Sequence, residues 1–281
     1  MSERLAEVGR RVATVRQLGT VVNAMRGIAG ARAQQARARL PAIRAYADTA
    51  GRAIAEARRV TSEQPAATAD VFRGKPGLVV FGAEQGFAGA FPRQILDAAA
   101  PDFAVAHVFM VGSRTAALAA ERSLVCGWRS NLPSSVSALT ETAVVVVEAV
   151  YAYLADAGPA PVAMLYPVWN PGHRARIVRR SLLPLDEAAF VSGKSGPPPL
   201  VNLSPADLIM RLAQEYILAQ LCEATAEAFA AENEARAATM ASAKTNIDAR
   251  LTALEAEERL TRQEEITAEV VELAAGARFR L

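Results

Sequence analysis

The chain is short of the residues that most often do chemistry. Its 281 residues include only two cysteines, two histidines and two tryptophans. Cys126 and Cys222 are too few and too far apart for a disulfide scaffold or a zinc site, and both read as packing residues in a reducing compartment. The histidines are as widely separated, and no H-E-x-x-H spacing occurs, so no metal site is expected. His107 falls inside an apolar run and reads as a core histidine. His173, in the turn sequence Asn170–His173, reads as a surface group. No uninterrupted apolar run reaches membrane-spanning length, so no direct membrane span is expected. The opening M-S-E-R-L-A-E is charged and carries no apolar core of a signal sequence. Aromatics are 6% of the chain and do not interleave with the N-terminal arginines, which argues against nucleic acid as a partner.

A second scarcity is more telling. After Ser204-Pro205, an N-cap residue followed by proline at the first helical position, there is no further proline, and no glycine until Gly276. More than seventy residues of strong helix formers follow. As one helix they would extend roughly 105 Å at 1.5 Å per residue, far beyond the needs of a compact domain. Such a helix needs a partner or a socket.

The N-terminus supplies the partner. Residues 2 to 58 read as a second helix, with Leu5, Val12, Gly19, Arg26, Ala33, Leu40, Ala47 and Ile54 at heptad position a. Position d holds Val8, Val15, Val22, Ala29, Ala36, Ile43, Ala50 and Ala57. Arg26 is the one charge among these sixteen, which is a coiled-coil pattern. Pro41 predicts a kink. In the C-terminal helix Met240, Ile247, Leu251 and Leu254 fall at seam spacing, and a shifted seam is expected to resume through Ile266, Val270, Leu273 and Ala277. Residues 208–231 are apolar on more than one face and should also pack against the middle of the chain. The charges agree with pairing. Residues 1–60 hold 12 arginines against 4 acids, whereas residues 203–281 hold 8 basic and 14 acidic groups. The alternative is two separate amphipathic helices laid on a globular body.

Between the helices the period changes. Strands are expected at 77–81, 104–111, 124–126, 161–167 and 174–183, with helices at 92–99, 113–122 and 137–157. That alternation predicts a small three-layer α/β domain. The expected divisions are an N-terminal coiled-coil helix at 1–60, a Rossmann-like foot at 71–191 and a C-terminal coiled-coil helix at 203–281. Linkers fall at Thr61–Asp70 and Ser192–Asn202. Gly193-Lys194-Ser195 imitates the end of a phosphate-binding loop, but Ala188 stands where its first glycine belongs and three prolines forbid the following helix. Gly82, Gly86 and Gly89 lack the dinucleotide spacing and read as a tight turn needing positive φ. Glu84 and Glu148 are not linked by anything in the sequence, and no nucleophile–base pair stands out.

Motifs at both ends carry a resemblance. E-x2-A-R-x3-M-x2-A-x-x-N occurs as Glu232, Ala235, Arg236, Met240, Ala243 and Asn246. R-Q-x2-I-T-x-E follows as Arg262, Gln263, Ile266, Thr267 and Glu269, then E-L-x2-G-A as Glu272, Leu273, Gly276 and Ala277. Near the start, A-M-x2-[IV]-A is Ala24, Met25, Ile28 and Ala29, and Tyr46–Thr49 reads Y-A-D-T. In the middle, Glu84–Phe91 and Val111–Arg114 are similar to D-R-G-L-C-G-G-L and I-G-S-K. Together these resemble the gamma subunit of F-type ATP synthases across the whole chain.

The resemblance implies α/β architecture plus a long antiparallel two-helix coiled coil, acting as the central-stalk rotor of a rotary ATP synthase. Its implied partners are the alpha and beta subunits of the catalytic ring, the epsilon subunit and the membrane c-ring, at the cytoplasmic face of a bacterial inner membrane. It implies no catalytic site and no cofactor in this chain, with rotor–stator contacts at Met25, Arg26, Arg32, Arg236, Gln263, Thr267 and Glu269. Arg26 stands where the family is usually acidic and Arg32 where it usually has lysine. These departures, with the weaker match of the middle, point to a divergent bacterial branch such as the N-type ATPases. Two other readings stay open: a coiled-coil tethering arm on an α/β binding module, and a nucleotide-binding α/β domain with helical appendages.

Overall fold

The computed structural model describes residues 3–61, 72–170, 175–186, 190 and 201–278. The linker at Thr61–Asp70 beyond its first residue, His173, and the Gly193-Lys194-Ser195 sequence lie outside the described residues. Two helices carry much of the chain: α1 (Glu3–Thr61) and α5 (Pro205–Arg278). Ser204 caps α5, its hydroxyl accepting the Asp207 N–H at 3.2 Å. The α1 helix continues through Pro41. Between them run β1 (Gly77–Phe81), α2 (Phe91–Ala99), β2 (His107–Val111), α3 (Ser113–Glu121), β3 (Trp128–Ser130), α4 (Leu139–Ala157), β4 (Val162–Val168) and β5 (Arg176–Leu183).

The strands form one sheet in the order β3-β2-β1-β4-β5, parallel except for β5. Side-chain alternation divides its core. Leu78, Val80, Val108, Met110 and Leu165 face α2 and α3, while Val79, Phe81, Phe109, Val111 and Met164 face α4 and parts of α1 and α5. This is a three-layer arrangement in which chain from the two ends supplies part of one layer.

Two strand expectations need correction. β3 lies at Trp128–Ser130, not 124–126, and pairs Phe109 with Trp128. Val125 is 79% exposed, so its apolar neighbourhood marks no buried strand. The strand begins just after Gly127, where a Cβ would stand 2.3 Å from the His107 ring. β2 begins at His107 because residues before it are tied into a turn, with Val105 and Ala106 both donating to the Asp102 carbonyl.

By packing, the chain divides into one unit of Met1–Ile28 with Ala237–Leu281 and another of Ala29–Arg236. The division falls inside both long helices, whereas the sequence reading placed boundaries at the linkers. In the first unit α1 and α5 run antiparallel. Arg16 pairs with Glu255 at 2.8 Å and Arg4 with Glu264 at 3.6 Å. Gly19 lies against Ile247, within 3.2 Å of where a Cβ would be. The expected resumption of the seam does not occur: Ile266, Val270 and Leu273 are exposed. Arg4 is already level with Glu264, so these residues lie past the described stretch of α1.

In the second unit Arg37 pairs with Glu234 at 2.6 Å, and Arg44 reaches both Glu223 and Glu227 at 2.6 and 2.5 Å. The helices again run antiparallel, with arginines from α1 meeting glutamates from α5. Thirteen of the sixteen α1 seam positions are buried; Val15 and Ile43 are half-buried and Arg26 alone is exposed. The heptad therefore locates the seam of the antiparallel pair. With its preceding turn, α4 spans 136–157 and is long and apolar enough to cross a membrane, which the sequence reading did not anticipate. It is built into the sheet's core through Leu139, Ala143, Val146 and Val150.

Candidate functional site

Open α/β sheets bind ligands beyond the C-terminal ends of their strands, where the strand order reverses. Here that point lies between β1 and β4, and the loop that would cradle a ligand is the one joining β1 to α2. It begins with a close approach. A Cβ on Gly82 would stand 2.5 Å from Thr115, whose hydroxyl accepts the Ala83 N–H at 2.7 Å. Glu84 then accepts from the Ser113 N–H and hydroxyl at 3.0 and 2.8 Å and from the Leu132 N–H at 2.8 Å. Its carboxylate joins three elements and is no free base.

The crevice itself is filled by α5. Ala231 is buried in the core beside Leu78, Val80 and Leu165, and Ala235 packs against the same cluster. Glu232, 2% exposed, accepts the Gln85 N–H at 2.9 Å. A glutamate thus occupies the backbone donor that an anionic ligand would use. Arg236 completes the arrangement, donating to the Gly86 carbonyl at 3.2 Å, Asn233 Oδ1 at 2.9 Å and Glu232 Oε1 at 2.5 Å. Burial raises the Glu232 carboxyl pKa against the opposing pull of the Gln85 N–H and Arg236. The loop then displays Phe87, 67% exposed, in a left-handed conformation at φ +62°, followed by Gly89 at φ +59°. Of the three glycines read as a turn needing positive φ, Gly89 alone adopts it, Gly82 and Gly86 do not, and at Phe87 a bulky side chain adopts it, which is uncommon.

The residues expected at rotor–stator contacts separate into three groups. On the first unit Arg26 is exposed and Met25 half-buried. Gln263 and Thr267 are exposed one turn apart, joined by the Thr267 hydroxyl to the Gln263 carbonyl at 2.8 Å; Glu269 is exposed on another face of the helix. Because Arg4 is level with Glu264, about 30 Å of helix separates this group from Met25. On the second unit Arg32 is half-buried. Arg236, also on the second unit, has its guanidinium buried and donating to Gly86, Asn233 and Glu232.

Sequence reasoning missed one surface. Leu18, Val21, Met25 and Ile28 follow i, i+3, i+7, i+10 spacing, and all but the half-buried Met25 are among the exposed large apolar residues. They form an apolar stripe beside the seam, with Arg26 on the same turns. Extending the heptad to its c and g positions would have found it. His107 also differs from expectation. It opens β2 half-buried and stacks on Tyr153 at 4.3 Å between ring centres, and burial with nearby Lys75 lowers its pKa.

A family profile described as ATP synthase matches residues 4–278. The ATP synthase gamma chain of Geotalea daltonii is 23% identical over 285 residues, covering 97% of each chain. That of Frankia casuarinae is 26% identical over 296 residues, covering 99% of this chain and 98% of the relative. Among solved structures, a chain of the Euglena gracilis mitochondrial ATP synthase rotor superposes with a TM-score of 0.63 at 15% identity, covering 94% of this chain and 99% of its own. A chain from the central stalk and c-ring of the Tetrahymena thermophila enzyme gives 0.59 at 16% identity, covering 79% of this chain and 99% of its own.

Proposed function

Because the chain belongs to the gamma family of ATP synthase, we propose that it acts as the central-stalk rotor of a bacterial F-type enzyme. Rotation of the chain couples ion passage through the membrane c-ring to ATP synthesis or hydrolysis in the ring of alpha and beta subunits, with epsilon bound near the foot. It sits peripherally at the cytoplasmic face of the inner membrane and has no catalytic site of its own.

The observation that carries this reading is the filled crevice. The α/β body offers its ligand-binding position to its own helix, so its work is mechanical. Torque needs surfaces that press differently on a stator in different states. Two are available on the first unit. The stripe at Leu18, Val21, Met25 and Ile28, with Arg26 among it, suits an amphipathic, acidic beta-subunit loop; Arg32 extends the same helix with a further cation. The exposed Ile266, Val270 and Leu273, with Gln263, Thr267 and Glu269, suit an apolar bearing with polar contacts at its rim.

A tagged copy of the chain, recovered from its own cells under mild extraction, tests the reading. Mass spectrometry should find alpha and beta subunits at one rotor chain per catalytic ring. Their absence would leave the tethering-arm reading in its place.

A further inference from the structure

Glu232 and Arg236 are buried charges that the proposed rotor contacts do not use. They lie in the last turn of α5 that belongs to the second unit. Outside their own helix, among the described residues, they hold backbone of the β1–α2 loop: the Gln85 N–H at 2.9 Å and the Glu84 backbone on Glu232, and the Gly86 carbonyl on Arg236. Ala83, and Glu84 through its carboxylate, are also tied to α3 and to Leu132. The two residues that follow the clasped pair include Phe87, in a backbone conformation that persists only where neighbours over-determine it. An ion pair of this burial is a poor choice for stability alone, since apolar residues of similar volume usually do as well. It is a good choice for fixing a position.

Resting on the rotor reading, we propose that Glu232 and Arg236 are positioning residues, a clasp that registers the β1–α2 loop on α5 so that the α/β body turns with the helix under load. One side chain accepts and its partner one turn on donates, so the loop is held in both directions along the helix. Slip of the loop would break both bonds at once. The same pair stops the sheet's crevice, which explains why a glutamate rather than an apolar residue lies there.

The test uses complexes assembled with the full chain and returned to vesicles, measuring ions pumped per ATP hydrolysed. Arg236→Leu should lower melting temperature and lower that ratio, by about two- to tenfold. The informative variant is Glu232→Leu with Arg236→Leu. Removing both charges should recover the melting temperature, because no buried charge is left unpaired. The pumping ratio should stay low, and hydrogen exchange at Gln85 should stay fast. Recovery of both stability and coupling would overturn the proposal, leaving the pair a purely structural feature. If the double variant does not assemble, Gln85→Pro removes the clasped N–H from outside the helix; wild-type coupling in that variant would overturn it equally. Failure of the wild-type chain to join alpha and beta subunits is a different result, and speaks against the rotor reading itself.

Discussion

Glu232 shows how one residue's surroundings set a measurable pH dependence. Burial raises its carboxyl pKa above the ordinary value, so folding favours the neutral form. That stabilisation is full below the ordinary glutamate pKa and is lost as pH rises through the raised one. Glutamine has no charge to desolvate. The melting temperature of Glu232→Gln should therefore gain on that of the wild type as pH rises above the ordinary glutamate value of about 4.3, read by thermal denaturation of the chain. A gap that stays flat, or closes with rising pH, would contradict the assignment. The pair's inward direction was partly legible. Glutamate four residues before arginine is the spacing of an intrahelical ion pair, and here the flanking Ala231 and Ala235 belong to a core. What the sequence could not carry is the loop 150 positions away that receives the arginine, because Gln85 and Gly86 act through backbone atoms that any residue but proline would offer.

Among elements, the helices were legible and the strand edges were not. A heptad with one charge in sixteen positions marks a buried seam wherever its partner lies, and the alternation of strands and helices marks a parallel sheet. Strand limits depend on neighbours. Gly127 abuts the ring of His107, and that contact has no local signature. The seam's alanines give a sharper expectation. Ala36 is fully buried in the core where α1 meets α5, whereas Ala38 is exposed two residues later. Ala36→Leu should overpack that contact and cost about 1–3 kcal/mol, while Ala38→Leu should stay within about 0.5 kcal/mol of wild type. Denaturant titration of the two variants distinguishes them, and equal effects would mean the helices are not closely apposed there. The shifted seam at Ile266 was misread for a plain reason. Periodicity says that a face is apolar, not that this chain is what covers it.

For the whole molecule, family motifs at both ends made the function readable before any fold was known, since order and spacing agreed across the chain. The apolar stripe on α1 lies at heptad positions c and g, outside the a and d seam that the coiled-coil pattern marks. Arg26 links the two. It is the one exposed position of the α1 seam, and the stripe runs beside it. Arg26→Glu should leave folding and assembly intact, since an exposed single charge changes stability by about 0.5 kcal/mol or less. It should nonetheless depress the ratio of ion transport to ATP hydrolysis, because the cation would no longer face an acidic loop. An unchanged ratio would remove Arg26 from the stator surface.

The sheet's second face, which packs Val79, Phe81 and Val111 against α4, is finished by Ala36 and Leu40 of α1 and by Ile217 and Leu221 of α5. Those residues are made at opposite ends of synthesis. On the ribosome, α1 and the strands emerge long before the piece that completes their packing. The body must wait, with an apolar flank open, until residues beyond 221 have left the exit tunnel. Birth of this protein is thus timed by its last helix, since a chain ending before Ile217 lacks the α5 side chains that finish this face.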